Sequence, residues 1–269
     1  MKIALIGAGN LATNIGPALK AAGHDVVQVY SRTMESAVLL ADKLECACTN
    51  NIEAVTHDAD IYIVAVKDNA LESLAQMLCK GREGHLFVHT AGSMPLEVFK
   101  GVAKHYGVLY PMQTFSKNKS LDFNKIPCFV EAESEESLTI IKTLAASITN
   151  SVYELTSENR KYLHLAAVFA CNFANHCYSV AADLLEKHGI PFQVMLPLID
   201  ETAEKVHHLA PREAQTGPAV RYDENVMQKH LALLQETPNY EEIYKLMSKV
   251  YTNEANDKLR FDKDKGHRV

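Results

Sequence analysis

Tryptophan is absent from the 269 residues, no two cysteines have C-x-x-C spacing, and positive charge is in short supply. No apolar run approaches the about 18 to 20 residues that cross a bilayer, so a membrane-spanning helix is not expected. The cysteines, Cys46, Cys48, Cys79, Cys128, Cys171 and Cys177, are scattered and several lie inside apolar runs. They indicate neither a disulfide framework nor a structural zinc site, and read as reduced, buried thiols. Lys and Arg number 27 against 33 Asp and Glu, a net charge of -6 without a basic run. Nucleic acid demands a phosphate-neutralising surface and is therefore not an expected partner. Met1 opens on an apolar strand rather than a charged leader, so a cytoplasmic protein is expected. No repeat or low-complexity segment is visible, and Asp257–Val269 alone is charged enough to fray.

What is present is most specific at the start. The segment MKIALIGAGNLATNIG puts an apolar strand, Lys2–Ile6, directly before a glycine-rich turn that opens a helix. In that G-x-G-x-x-A pattern Gly7 permits the tight turn, Gly9 lets backbone approach a phosphate, and Ala12 allows close packing of helix on strand. The helix from Asn10 would aim its free N–H groups and positive dipole end at an anion. Gly7, Gly9, Asn10 and Leu11 are thus candidate dinucleotide-binding residues.

Through about Tyr153 short β-branched runs alternate with helical stretches. Lys2–Ile6, Asp25–Tyr30, Ile61–Val66, His85–His89, Val108–Tyr110 and Pro127–Glu131 read as strands of a parallel sheet with helices on both faces. The unbroken apolar run Ile61–Val66 belongs at the centre of that sheet. From Ser157 onward helical patterns take over, roughly Glu158–His188, Pro191–Leu209, Asp223–Glu236 and Asn239–Lys258. The expected fold is α/β: a Rossmann-type doubly wound parallel sheet over residues 1–153 and an all-helical domain over 154–269. The first long helix is apolar nearly all round, with Leu163, Ala166, Ala170 and Phe173 opposite Val168 and Cys171, so burial on most sides is expected, by its own domain and by either the nucleotide domain or a second subunit, with dimerisation through this domain.

The second strand ends in Tyr30-Ser31-Arg32-Thr33, where an NAD enzyme usually carries an acid for the ribose hydroxyls. Ser31 and Thr33 offer hydroxyls and Arg32 a permanently charged fork, which suits the 2'-phosphate of NADP; the alternative is a solvated surface arginine. Two further loops, Val66-Lys67-Asp68-Asn69 and His89-Thr90-Ala91-Gly92-Ser93-Met94-Pro95, lie at the carboxyl edge, where ligands of such sheets bind. Backbone of Val66, Lys67 and Ala91 is expected to line the nicotinamide ribose, while Ser93 doubles as a candidate helix N-cap. The loop Tyr110–Ser116 carries hydroxyl and amide groups toward the same edge, as a substrate wall would.

Metal sites are not expected. On a strand His85 and His89 sit about 13 Å apart, too far to share an ion. Asp200, Glu204, His207 and His208 share a helical face but read as solvated charge. On the apolar first helix His164 is a candidate proton donor to the atom that hydride attack leaves negative, and Asn172, about 80° further round, a candidate for orienting substrate. The competing reading makes His164 a satisfied interior histidine. Thr216–Asp223 interrupts the helices; Arg221 would hold an anion or pair with Asp223, a favoured N-cap.

GAGNLA with YSRT, HTAGSMPLEVF, YPMQTFS, YLHLAAVFACNF and TGPAVRYDENVMQKHL together resemble, over nearly the whole chain, the Rossmann-fold proteins described as NADP oxidoreductases. These are relatives of pyrroline-5-carboxylate reductase, 6-phosphogluconate dehydrogenase and deazaflavin-dependent NADP reductases. The last two segments resemble the domain of unassigned function that follows the dinucleotide domain in this branch. The resemblance implies that Gly7, Gly9, Asn10, Leu11, Ser31, Arg32 and Thr33 bind NADP and that His164, Asn172, Thr216 and Arg221 face the cleft. The wider hydroxyacid dehydrogenase relatives carry a Lys followed four residues later by Asn. Here Lys161 is followed by Leu165, and Asn172 is preceded by Val168. The expected activity is reduction of a small carbonyl or imine compound in an interdomain cleft of a homodimer, and the rival a non-catalytic NADP-binding sensor or interaction protein.

Overall fold

The computed structural model describes residues 1–265, with side chains as far as Thr252. Eight strands form one sheet: β1 (Lys2–Ile6), β2 (Asp25–Tyr30), β3 (Ala47–Thr49), β4 (Ile61–Val64), β5 (Leu86–His89), β6 (His105–Pro111), β7 (Cys128–Ala132) and β8 (Val152–Glu154). Their spatial order is β3-β2-β1-β4-β5-β6-β7-β8. The order reverses between β1 and β4, which pair in parallel from Ile3 with Ile61 to Ile6 with Val64. At such a switch point the outgoing loops separate and leave a crevice at the carboxyl edge.

Period-two alternation divides the core between the two faces of the sheet. Ile3, Leu5, Ile61 and Ile63 pack with α1 (Asn10–Ala21), α2 (Met34–Leu44) and α4 (Glu135–Ile148) through Ile15, Leu19, Leu40, Leu44, Ile141 and Leu144. Ala4, Ile6, Tyr62 and Val64 pack on the other face with Leu71, Leu74 and Leu78 of α3 (Asp68–Cys79) and with Phe87 and Phe99. All four residues of β4 are buried. That is why its sequence is apolar without a break.

Three features depart from the expected sheet. The three-residue edge strands β3 and β8 are too short to show a period. β6 begins at His105 rather than Val108. β7 runs antiparallel to β6, from Gly107 opposite Ala132 to Pro111 opposite Cys128. Between these two strands lies no helix beyond the single 3-10 turn Phe123–Lys125, so no crossover carries the chain back to the other end of the sheet.

Two compact units divide at Phe173 and Ala174. The first includes α5 (Ser157–Ala167), begun by Thr156, whose side chain accepts from the Asn159 N–H, and a π-helical segment, Val168–Phe173. The second comprises α6 (Ala174–Glu186), α7 (Leu196–His208), the single turn α8 (Pro211–Ala214), α9 (Glu224–Leu233) and α10 (Pro238–Lys265). Asp223 caps α9 by accepting from the Val226 N–H.

Within the single chain the long first helix is little buried. Arg160 is the one buried residue of α5, and α6 has none. In the second unit Ala219 and Leu234 are the buried apolar residues among those described. Nor are all the thiols interior: Cys79 and Cys128 are buried, Cys46 and Cys48 half-buried, and Cys171 and Cys177 exposed. Among the described residues no helix is long and apolar enough to cross a membrane. The backbone of α10 continues to Lys265, and the remainder of the expected frayed tail, 266–269, lies outside the described residues.

Candidate active site

The glycines that follow β1 have different reasons to be glycine. Gly7 has φ +120, and a Cβ there would lie 2.3 Å from the carbonyl oxygen of Ala65, at the exit of the neighbouring strand. Its N–H donates to Tyr30 O at 2.7 Å, which draws β1, β2 and β4 together at the corner. The fold itself therefore requires glycine at 7. Gly9 has an ordinary extended backbone, φ -83 and ψ -170, and a Cβ added to it would meet nothing within 4 Å. Packing within the chain therefore gives no reason for glycine at 9.

Gly9 is also the N-cap of α1, with no side chain capping the helix and no acid in its first turn. Asn14 directs its amide elsewhere, to the carbonyl oxygens of Asn10 at 2.8 Å and Ser116 at 2.9 Å. The first-turn N–H groups and the positive end of the dipole thus face open space, which suits a diphosphate.

That space is one cleft of about 1030 Å³ along the carboxyl edge of the sheet. It lies at the upper end of the range of small-molecule sites. Gly7, Gly9, Asn10 and Leu11 line it at the corner, Ser31, Arg32 and Thr33 at the end of β2, and Val66, Lys67 and Ala91 beyond β4 and β5. Ser36, on the first turns of α2, adds a hydroxyl beside the Arg32 group that the motif did not reveal. Gln113 and Phe115 of the expected substrate wall reach the cleft, whereas the Thr114 hydroxyl and N–H turn to the Gln113 side-chain oxygen.

The far end of the cleft is built on His164. Its Nδ1 lies 3.1 Å from the hydroxyl of Tyr110, and both side chains line the cleft. Gly92 closes against the pair: a Cβ at 92 would stand 2.6 Å from His164 Nδ1 and 2.9 Å from Tyr110 Cζ. Burial raises the Tyr110 phenol above its ordinary pKa, with the Arg160 guanidinium opposing and the Asp68 carboxylate adding to the effect. Ser93 does not cap a helix as expected; its hydroxyl donates to Asp68, and the following 3-10 turn begins after Pro95.

Arg160, one turn before His164 on α5, anchors that helix. Only 1% exposed, it donates from Nη1 to Glu131 at 2.6 Å and from Nη2 to the Met94 carbonyl at 2.6 Å and to Ser157 Oγ at 3.0 Å. Glu131 also accepts from the Ser157 N–H and hydroxyl, at 2.8 and 2.7 Å. His89, fully buried, clamps the adjoining loop: Nδ1 accepts from the Ala91 N–H at 3.2 Å and Nε2 faces the Pro95 carbonyl at 3.1 Å. Burial, reinforced by Arg160, pushes its pKa down to about 4, so it is a neutral structural group.

Asn172 does not join this group. It is exposed on the π segment and is not part of the cleft lining. The π turn changes the angular step per residue, so 3.6-residue spacing from His164 no longer gives its direction. Thr216 belongs to the second unit and lines an apolar groove there with Gly217 and Pro218; Arg221 is exposed. Among the described residues no group of three or more His, Cys, Asp or Glu is arranged to hold a metal ion.

The family described as "NADP oxidoreductase coenzyme F420-dependent" matches residues 2–92, and a domain of unknown function (DUF2520) matches residues 126–251. A protein from Bacteroides fragilis described as an NADP oxidoreductase superposes with a TM-score of 0.90 at 54% identity, covering 94% of this chain and 98% of its own. The chain belongs to this family of NADP oxidoreductases. At lower identity, a Thermotoga maritima protein has a TM-score of 0.71 at 22%, covering 96% of this chain and 99% of its own. An imine reductase from Myxococcus stipitatus in complex with NADP+ has a TM-score of 0.68 at 15%, covering 97% and 94%. These two likenesses concern the fold alone. No curated protein matches the chain.

Sequence reading passed over Arg160, Gly92 and the pairing of Tyr110 with His164. Arg160 carried no signal, because it sits in the polar first turn Ser157–Lys161 of α5, where a charge is ordinarily solvated. Gly92 carried none, because its need for glycine comes from side chains that arrive from β6 and α5.

Proposed function

We propose that this chain is an NADPH-dependent reductase of a small carbonyl or imine compound, its chemistry occurring where Tyr110, Gly92 and His164 meet the cleft. The carrying observation is that one cleft runs from the glycine corner and Arg32 to His164. The α1 N-terminus holds the diphosphate, and Ser31, Arg32, Thr33 and Ser36, with no acid among them, hold the 2'-phosphate that distinguishes NADPH from NADH. When bound, the nicotinamide supplies two electrons and a hydrogen, as hydride, to the substrate carbon. His164 holds the proton that the substrate's oxygen or nitrogen takes as its double bond to carbon becomes single, and solvent returns that proton to the imidazole. Asp68, Gln113 and Phe115 supply polar and apolar wall around the substrate.

The helix that ends the first unit supports a homodimer. Tyr162 and Leu165 on α5 and Phe169 and Phe173 on the π-helical segment, the last two with rings edge-on at 5.0 Å, are all exposed, Phe169 to 63%. Exposed apolar side chains gathered in this way fit a second copy. Sedimentation should give a dimer that Phe169→Asp dissociates; a wild-type monomer at micromolar concentration contradicts this.

The missing Lys and Asn pair favours one rival, a cofactor-binding protein without turnover. Loss of NADPH absorbance with a panel of cyclic imines, 2-keto acids and aldehydes separates them. Turnover abolished by His164→Ala with unchanged NADPH affinity supports the reductase; tight binding without oxidation of any member supports the rival.

A further inference from the structure

Resting on the reading of His164 as the proton holder, we propose that Tyr110 is a positioning residue for it: the phenol O–H donates to Nδ1 of the neutral ring and leaves its one proton on Nε2, available to the cleft. When that proton passes to the substrate, the same phenol O–H steadies the imidazolate until solvent reprotonates Nε2.

The heavy atoms, 3.1 Å apart, allow either group to be the donor. The surroundings select the phenol. Tyr110 is nine-tenths buried, and among the described residues its hydroxyl has one side-chain partner, His164. A buried O–H needs an acceptor, and Nδ1 is the acceptor within reach. Were Nδ1 to donate instead, the phenol hydrogen would have no side-chain acceptor among the described residues and would turn to solvent in the cleft. Burial also keeps the phenol protonated well above neutral pH, so the donor persists over the working range. In a neutral imidazole the hydrogen bond made by one nitrogen decides which nitrogen carries the proton.

Two further contacts hold the pair in register. A Cβ at Gly92 would overlap both His164 Nδ1 and Tyr110 Cζ, so the wall opposite the pair is as close as backbone allows. One turn earlier on α5, the Arg160 anchor to Glu131 and Met94 fixes the rotation of the helix that presents His164. The ring of Tyr110 meets that of His164 edge-on, with centroids 6.3 Å apart, so Tyr110→Phe keeps the packing and removes the hydroxyl alone.

The test has a spectroscopic arm and a kinetic arm. In ¹⁵N-labelled protein without cofactor, the two-bond ring correlations of His164, identified by their loss in His164→Gln, should show the Nε2–H tautomer alone in wild type and a mixture containing Nδ1–H in Tyr110→Phe. An Nδ1–H wild type, or a Tyr110→Phe spectrum identical to wild type, overturns the proposal. Kinetically, Tyr110→Phe should lower kcat by about tenfold or more, within the 10²–10⁴-fold that a placed proton donor supplies, without changing NADPH affinity. In the His164→Gln background the same substitution should cost nothing further. Losses that multiply would mean that Tyr110 acts independently of His164, and overturn it. If no imine, keto acid or aldehyde is turned over, the reductase reading fails while the tautomer measurement still decides the role of Tyr110 toward His164.

Discussion

Replacing Arg160 by Met tests how the reacting end of the cleft is held. Arg160 is 1% exposed and spends its guanidinium on Glu131, Met94 O and Ser157 Oγ. Met fills much of the volume but leaves the Glu131 carboxylate, itself 17% exposed, with Ser157 as its donor in place of a cation, and strips the Met94 carbonyl of that donor. Breaking a buried pair from one side costs about 3–5 kcal/mol, because a desolvated charge remains. Removing both partners costs far less; Arg160 Nε already lacks a hydrogen-bond partner, so the intact pair is not fully compensated. Because the chain contains two compact units, a single unfolding midpoint would mix them. Hydrogen exchange of β7 and α5 amides reports the local cost. Exchange there should quicken by about 10² to 10⁴-fold in Arg160→Met, the equivalent of that energy, and return most of the way in Arg160→Met/Glu131→Leu. A single variant within tenfold of wild type, or a double variant no slower than the single, would refute the reasoning.

The cofactor preference and the buried histidine supply further tests. Arg32→Ala should weaken NADPH by about 10 to 100-fold, the worth of a charge-assisted phosphate contact, and leave NADH within about threefold; equal losses by calorimetry would remove Arg32 from the 2'-phosphate site. His89 has a folded pKa of about 4, below the about 6.5 of the unfolded chain, so between these values the unfolded state binds more protons. Its contribution is therefore fully present above pH 6.5 and lost as pH falls toward 4, about 3 kcal/mol in all. The stability of the β4 and β5 amides, read by hydrogen exchange at pH 7 and pH 4.5, should fall less for His89→Gln than for wild type, and parallel falls would contradict the assignment.

The glycine corner was legible because its chemistry is local. Strand, turn and helix are consecutive from Lys2 to Ala21, and each residue's role follows from neighbours in the chain. The Arg32 loop and the loops after β4 and β5 were legible by topology, since a parallel strand must end at the carboxyl edge. The other end was harder to read. Tyr110 and His164 are 54 positions apart, and only the packing of α5 beside β6 makes them partners. Ser93 looked like a cap because Pro follows it, but Asp68, brought close by β4 lying beside β5, took its hydroxyl. Asn172 falls on a π-helical segment, which leaves no mark in apolar periodicity. The antiparallel β7 could have been inferred from the want of a helix between Pro111 and Cys128.

NADPH binding depends above all on the α1 N-terminus being an anion cradle, and Gly9→Asn tests this most directly. Asn at an N-cap accepts from the first-turn N–H groups, and position 9 has the backbone and the open space to admit it, so the fold should keep or gain stability. The same side chain would occupy the donors and the volume assigned to the diphosphate. Calorimetry should show saturable NADPH binding to the wild type and a loss of at least tenfold, about 1.4 kcal/mol, in Gly9→Asn, with hydrogen exchange of the β1 and α1 amides unchanged or slower. Equal NADPH affinity in the two proteins, or none in either, would contradict the account.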